Sequence, residues 1–104
     1  MRLTEKIYLV GGASFEYSAK GDCNIFLVDC GETLALIDSG AGRGVSKILE
    51  NIERMGFKNK KIEILFNTHC HYDHIGGNFE FKRTGCKIAA YRDEFDEIEN
   101  LGEL

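Results

Sequence analysis

Short runs of β-branched and aromatic residues recur along the chain between glycine-rich or polar breaks. Runs of this kind, bounded by turn residues, are typical of β-strands. They predict five strands, at residues 6–12, 24–29, 33–38, 62–67 and 87–91. Cys30-Gly31-Glu32 separates the second strand from the third, and this spacing is typical of a tight hairpin.

One segment between the strands has the helical period instead. Its apolar side chains are Val45, Ile48, Leu49, Ile52 and Met55. A helix over 45–55 would place them in one stripe against the sheet, and Gly56 is a natural stop. A shorter helix is predicted at 78–82, and an amphipathic one from Asp93 onward. The order of these elements predicts an α/β fold, with a mixed β-sheet and flanking helices.

The composition fits one domain and excludes several kinds of partner. The chain has 104 residues and a net charge of -4, whereas binding to a phosphate backbone needs a positive surface. We therefore expect no nucleic-acid partner. No apolar run approaches the roughly 20 residues of a membrane span, and the N-terminus turns polar too soon for a signal peptide. A cytoplasmic protein without a membrane partner is expected.

The four cysteines are Cys23, Cys30, Cys70 and Cys86, and they include no C-x-x-C pair. This spacing disfavours a cysteine-rich zinc knuckle. Without an export signal, we expect reduced thiols. Cys70 lies in a segment predicted to be extended, between two histidines, so its side chain should turn to the opposite face as a buried structural thiol.

All three histidines lie in "NTHCHYDHIGGN", residues 67–78, at the end of a predicted strand. In an extended backbone alternate side chains share a face, so His69 and His71 point the same way and Asp73 continues the alternation. His74 joins them only if the chain bends there, which the Gly-Gly pair behind it suits. The spacing thus separates into two ligand pairs, and imidazole with carboxylate suits zinc, iron or manganese. The alternative is a solvated polar loop.

These residues resemble a known signature. "THCHYDHIGGN" is similar to the H-x-H-x-D-H motif of the metallo-β-lactamase-fold hydrolases. "DCNIFLVDCGETLALIDSGAG" resembles the opening hairpin and Asp-x-Gly loop of that superfamily. The resemblance covers roughly residues 6 to 91. It implies half of an αββα sandwich, with residues 1–104 as a single, truncated, N-terminal part of the domain.

The resemblance also implies roles for individual residues. Residues matching His69 and His71 hold the first metal, and those matching Asp73 and His74 hold the second, with Asp73 in the catalytic machinery. The implied cofactor is a pair of Zn²⁺ ions, with iron or manganese as alternatives. Asp38 matches an aspartate that supports the ligands from behind, which makes physical sense because an oriented imidazole binds a metal better. Its alternative is a turn residue after a strand.

The implied activity is metal-dependent hydrolysis, in which a metal-bound hydroxide attacks a carbonyl of a small thioester or another ester or lactone. Gly76-Gly77-Asn78 favours the glyoxalase II-like branch. An iron-dependent oxidoreductase similar to persulfide dioxygenases is an alternative. A flavodiiron protein is disfavoured, because it has a glutamate where this chain has His71. The acidic composition lowers the case for a nuclease.

The number of ligands leaves a gap. A catalytic zinc usually has three protein ligands plus water, whereas this chain offers two donors per ion and no fourth histidine. In the family, the second half of the domain supplies the others. The chain is therefore a fragment, a protein completed by a partner, or a non-catalytic metal-binding form. Half a sandwich leaves an apolar sheet face open to water, which predicts a homo-oligomer or pairing with a complementary half.

Overall fold

The computed structural model describes residues 1–92, apart from the side chain of Phe15. Its strands are β1 (Ile7–Gly11), β2 (Ile25–Asp29), β3 (Leu34–Ile37), β4 (Ile62–Asn67) and β5 (Lys87–Ala90). Its α-helices are α1 (Val45–Ile52), α2 (Tyr72–Ile75) and α3 (Asn78–Arg83). All five predicted strands are confirmed. The terminal helix predicted from Asp93 lies outside the described residues.

The strands form one mixed sheet in which the spatial order follows the chain order, β1-β2-β3-β4-β5. The first three strands are antiparallel to one another, in the pairs β1–β2 and β2–β3. The last three are parallel, and α1 makes one of the two crossovers while α2 and α3 make the other. The predicted α/β class is confirmed. Because β3 and β4 are parallel, the segments that follow them start at the same edge of the sheet.

The helix predicted over 45–55 ends at Ile52, although the apolar pattern that predicted it continues to Met55. Regular α-helix stops at Ile52, and a wider turn continues to Phe57. Gly56 lies in that turn with φ 92° and takes the chain out of helical geometry, as expected of a stop residue. Phe57 stays buried beyond it and meets the ring of Tyr8 edge-on at 5.0 Å. Leu49, expected in the buried stripe, is 40% exposed.

The main core lies on one face of the sheet, where Leu27, Leu36 and Leu65 are fully buried together with Ile48 of α1 and Phe81 of α3. None of the helices in the described part of the chain is long and apolar enough to cross a membrane.

The other face of the sheet is also apolar. Cross-strand pairs place its side chains in two rows, Ile7-Val28-Ala35-Ile64-Lys87 and Leu9-Phe26-Ile37-Phe66-Ala89. We call the nine apolar residues of these rows the open face, and Lys87 ends the first row on the edge strand β5. On β4, Ile64 is 37% exposed and Phe66 is 40% exposed. The strands therefore have apolar side chains on both faces, as in sheets that are covered from both sides.

A buried amide ties α1 to the start of the chain. The Asn51 Nδ2 atom donates to the carbonyl oxygens of Val10 and Tyr17, both at 2.9 Å. Asn51 is 4% exposed, so these bonds satisfy groups that water does not reach.

Candidate metal centre

The centre begins with Asp38, the residue directly after β3. Its φ is 67°, a left-handed conformation that aspartate adopts more readily than most residues. Its backbone N–H donates to Phe66 O at 2.9 Å, which extends the β3–β4 pairing by one residue. The carboxylate is buried and accepts two bonds from Thr68, from the backbone N–H at 2.8 Å and from the hydroxyl at 2.7 Å. The ends of the two strands therefore hold this carboxylate in place.

Asp38 and Thr68 orient two of the histidine rings. His74 Nδ1 lies 2.9 Å from Asp38 Oδ2. A neutral ring that donates through Nδ1 leaves the Nε2 lone pair available to a metal. The Thr68 hydroxyl donates to Asp38, so it can accept from His69 Nδ1 at 3.0 Å, which frees Nε2 of that ring as well. The Thr68 hydroxyl therefore connects the buried carboxylate to a second ring.

The four motif residues proposed as ligands come together. The ring centroids of His69 and His71 are 5.8 Å apart with nearly parallel planes, and those of His69 and His74 are 4.8 Å apart. His74 Nε2 lies 3.6 Å from Asp73 Oδ2. His69 therefore neighbours both other rings, and the carboxylate of Asp73 lies beside the ring of His74.

The bend in this segment comes earlier than predicted. His71 is extended (φ −68°, ψ 147°) and α2 starts at Tyr72. The His71 carbonyl accepts N–H bonds from His74 and Ile75, which closes the helical turn before the chain reaches Asp73. The expectation that Asp73 continues the extended alternation is wrong, since it lies on α2 with His74.

Cys70 also differs from its prediction. It was expected to be a buried thiol on the opposite face, and it is half-buried.

The Gly-Gly pair acts through close packing. Gly76 and Gly77 have φ values of −59° and −91°, which any residue adopts. A Cβ atom on Gly76 would lie 2.3 Å from the carbonyl carbon and oxygen of Ala41, and one on Gly77 would lie 2.5 Å from Ser39 O. The prediction that glycine suits this segment by allowing a close approach is therefore confirmed. No unusual backbone angle is involved.

A buried polar network holds the segment after β3 against the histidine segment. Asn78 Nδ2 donates to Asn67 Oδ1 at 2.8 Å, and the Ser39 hydroxyl donates to Asn78 Oδ1 at 2.8 Å. The Ser39 backbone N–H donates to His74 O at 2.9 Å. Sequence reasoning missed Ser39 and Asn67. The sequence offered one signal for Asn67, which is a polar residue at the end of a largely apolar strand and could have indicated a buried polar contact.

Cys23 is a further neighbour that sequence reasoning did not place here. Its Sγ atom and the ligand-type atoms of Asp38 and His74 all lie within 4.8 Å of one another. Burial, followed by the charges of Asp38 and Asp73, raises the pKa of the Cys23 thiol to about 12, against the opposing effect of a hydrogen bond from the backbone of Gly40. No spacing pattern in the sequence links position 23 to the histidines.

These donors fit zinc. Imidazole nitrogens and carboxylate oxygens are its usual ligands in proteins together with thiolates. Two of the rings, His69 and His74, have a hydrogen-bond partner at Nδ1, which is the arrangement found behind metal-bound histidines.

Residues 19–103 match the profile of the metallo-beta-lactamase superfamily. The chain belongs to this superfamily. The predicted resemblance and fold are therefore confirmed, and in the metallo-beta-lactamase fold a site built from such donors implies metal binding, usually of zinc.

Individual relatives within the superfamily differ in their named activities. The hydroxyacylglutathione hydrolase of Pelagibacter ubique is 35% identical over 80 residues, covering 75% of this chain and 31% of the relative. The ribonuclease J of Mycoplasma genitalium is 36% identical over 76 residues, covering 69% of this chain and 13% of the relative. The chain thus spans less than a third of either of these proteins.

A solved structure gives the same picture of the fold. It is described as the first B3 metallo-beta-lactamase with an active-site glutamic acid. It is 31% identical to this chain, with a TM-score of 0.78, and the match covers 92% of this chain and 34% of that one.

Proposed function

We propose that this chain forms part of a metal-dependent hydrolase that cleaves a small thioester, or another ester or lactone. The observation that carries the proposal is the convergence of His69, His71, Asp73 and His74 at one sheet edge, with the Asp38 carboxylate 2.9 Å from His74 Nδ1. The thioester is favoured because relatives that share over a third of the matched residues are named hydroxyacylglutathione hydrolases.

The proposed ligands divide into two sets, His69 with His71 and Asp73 with His74. When bound, zinc ions supply Lewis acidity toward a carbonyl and lower the pKa of a water toward neutrality. Asp38 and Thr68 keep the rings in one tautomer and one orientation, so that little reorganisation accompanies binding. The carboxylate of Asp73 places negative charge beside His74 Nε2 and so favours a cation there.

We further propose that residues 1–104 are the N-terminal part of a longer catalytic unit. Metal ligands that this chain does not supply then come from the rest of that unit. Two motif donors per ion are fewer than the usual three, and the relatives extend well beyond the matched region.

The open face is proposed as the surface against which the complementary half of this unit packs, and on which residues 1–104 by themselves pair with a second copy of this chain. Seven of its nine side chains are aliphatic and the other two are phenylalanine, and the charge of Lys87 lies at the β5 end of the first row. A face of this kind is self-complementary, and burying it would remove apolar surface from water.

Zinc binding and thioester cleavage test the proposed function. Zinc is titrated calorimetrically into the metal-free protein and into a His69→Ala/His71→Ala double variant. Thiol release from a hydroxyacylglutathione is then followed, with an oxygen ester and a lactone for comparison. We expect the double variant to lose zinc affinity, and zinc-dependent thiol release only with the unchanged protein.

Equal zinc binding by the two proteins would contradict the site. Binding without cleavage of any of the three substrates would instead favour the non-catalytic metal-binding form. Metal analysis after native purification adds a separate check, because iron at one ion per chain would favour an oxidoreductase.

A further inference from the structure

We propose that Cys23 is a metal ligand of this centre, and that its thiolate binds the ion held by Asp73 and His74. The inference rests on the proposed function for the presence of that ion. The cysteine lies outside the H-x-H-x-D-H motif and 46 positions before its first histidine.

The position of the sulfur carries the proposal. Cys23 Sγ, an oxygen of Asp38 and a nitrogen of His74 are all within 4.8 Å of one another. Two ligands of a tetrahedral zinc ion lie roughly 3.5 Å apart, given Zn–S and Zn–N bonds of about 2.3 and 2.0 Å. The sulfur and a ring nitrogen are therefore close to the separation that one shared ion requires. Asp38 stays engaged with Thr68 and His74 Nδ1, which leaves Asp73 as the carboxylate partner.

The backbone fixes Cys23 against the helix that carries the other ligands. Its N–H donates to the carbonyl of Asp73 at 3.3 Å. The neighbouring Asp22 is 7% exposed, and its carboxylate accepts bonds from the Ser18 hydroxyl at 2.5 Å and from the Ala41 N–H at 2.8 Å. Cys23 therefore lies on a braced segment, so little conformational freedom is lost when it binds an ion.

The charges around the Cys23 thiol favour a bound cation. The charged groups that act on it are Asp38, Asp73 and Asp22, all of them acidic. A backbone N–H of Gly40 is directed at the sulfur, an interaction that favours the thiolate. A divalent cation offsets the acidic charges, and the thiol proton passes to solvent when the sulfur binds it.

Cys23 also raises the number of protein ligands that this chain offers to one of the two ions. With Asp73 and His74 it supplies three protein donors to one ion, the usual number for a catalytic zinc. Thiolate is a soft ligand that selects zinc over magnesium or calcium.

Cobalt(II) replacing zinc makes the ligand visible, because a cobalt–thiolate bond gives a near-ultraviolet charge-transfer band while histidine and carboxylate ligands give visible bands alone. We expect both kinds of band in the unchanged protein. Cys23→Ser should keep the visible bands and lose the charge-transfer band, and its zinc affinity should fall by about tenfold or more. Zinc X-ray absorption should show sulfur at about 2.3 Å in the unchanged protein and none in Cys23→Ser.

Cys70→Ser and Cys30→Ser are the matched controls and should keep the charge-transfer band. Circular dichroism, together with a Cys23→Ala variant, separates loss of the ligand from loss of the fold.

The possible results separate this inference from the proposed function. A charge-transfer band that survives Cys23→Ser and disappears in Cys70→Ser would assign the ligand to Cys70 and overturn the proposal. Visible bands without a charge-transfer band in the unchanged protein would overturn the role of Cys23 and leave the histidine site standing. Failure of the unchanged protein to take up cobalt or zinc would overturn both.

Discussion

Asp38 shows how one residue outside a motif determines the geometry of the residues within it. Its carboxylate accepts two bonds from Thr68 and lies 2.9 Å from His74 Nδ1. Because the carboxylate is buried and held from two sides, it fixes the direction of the ring that it contacts.

Asp38→Asn is expected to weaken zinc binding by about 10–100-fold, because the amide loses the charge that supports His74. The fold should be kept, since asparagine also tolerates the left-handed backbone. Calorimetric titration measures the affinity. Asp29→Asn is the control, because it removes a carboxylate at the opposite end of β3, where it pairs with Lys60 at 2.9 Å. Equal affinities in the two variants would argue against the orienting role.

The raised pKa of Cys23 predicts slow alkylation of the metal-free protein. At pH 8 a thiol with a pKa of about 12 is almost entirely protonated, and only the thiolate reacts. Iodoacetamide should therefore label the exposed Cys30 first, and labelling of Cys23 should rise as the pH approaches 12. Cys86, buried and with a pKa raised to about 11, is a second slow thiol for comparison. Peptide mass spectrometry measures each rate, and similar rates for Cys23 and Cys30 would contradict the prediction.

The sequence could identify the four motif residues because they lie within six positions of one another. Asp38 could be identified only through the family resemblance. Cys23 could not be placed, because its contact with His74 depends on the fold and leaves no trace in local spacing.

At the scale of elements, the existence of strands and helices was easier to predict than their ends. Apolar runs predict strands because each buried strand needs them. The ends depend on individual hydrogen bonds. The start of α2 is set by N–H bonds to the His71 carbonyl, and no hydrophobic pattern reports such bonds.

Gly76→Ala is expected to lower the free energy of unfolding by about 3 kcal/mol, because the new methyl group would overlap the backbone of Ala41. It should also weaken zinc binding, since α2 must move away from the segment after β3. Gly21→Ala is the comparison. Its added Cβ meets nothing within 4 Å, and its φ of 93° costs only about 1 kcal/mol. Urea unfolding measures both variants, and equal losses would show that packing at Gly76 is not tight.

Asn51→Ala tests the connection between α1 and the first strand. Removing Nδ2 leaves the carbonyls of Val10 and Tyr17 without this donor, which should lower the free energy of unfolding by about 1–3 kcal/mol. The exposed Asn59→Ala provides the control and should change stability by less than about 0.5 kcal/mol. An equally small effect at both positions, measured in urea, would count against this role for Asn51.

For the whole molecule, the sequence predicted a mixed sheet and the β2–β3 hairpin, which is confirmed, but could not give the register or the other strand pairs. Runs such as "NIFLVD" and "TLALID" are apolar at nearly every position, so alternation does not distinguish the two faces. The pairing places Leu27 and Leu36 on the core face and Phe26 and Ile37 on the open face.

The open face predicts self-association. The unchanged protein should form dimers or larger oligomers as its concentration rises, and an Ile64→Lys/Phe66→Lys variant should be monomeric, because it places two charges within the apolar surface that association would bury. Size-exclusion chromatography with light scattering measures the mass. Phe79→Ser, on α3 and 57% exposed, is the control and should still associate. A monomeric unchanged protein at high concentration would refute the second copy as the occupant.

Because the strand order follows the chain order, every new strand finds its neighbour already synthesised. The sheet can thus grow from one edge, one strand at a time, as the chain is synthesised. Asp38 is synthesised before Thr68, and the two residues meet only when β4 pairs with β3. The ability to capture a cation therefore arises late in folding, once the fourth strand has docked.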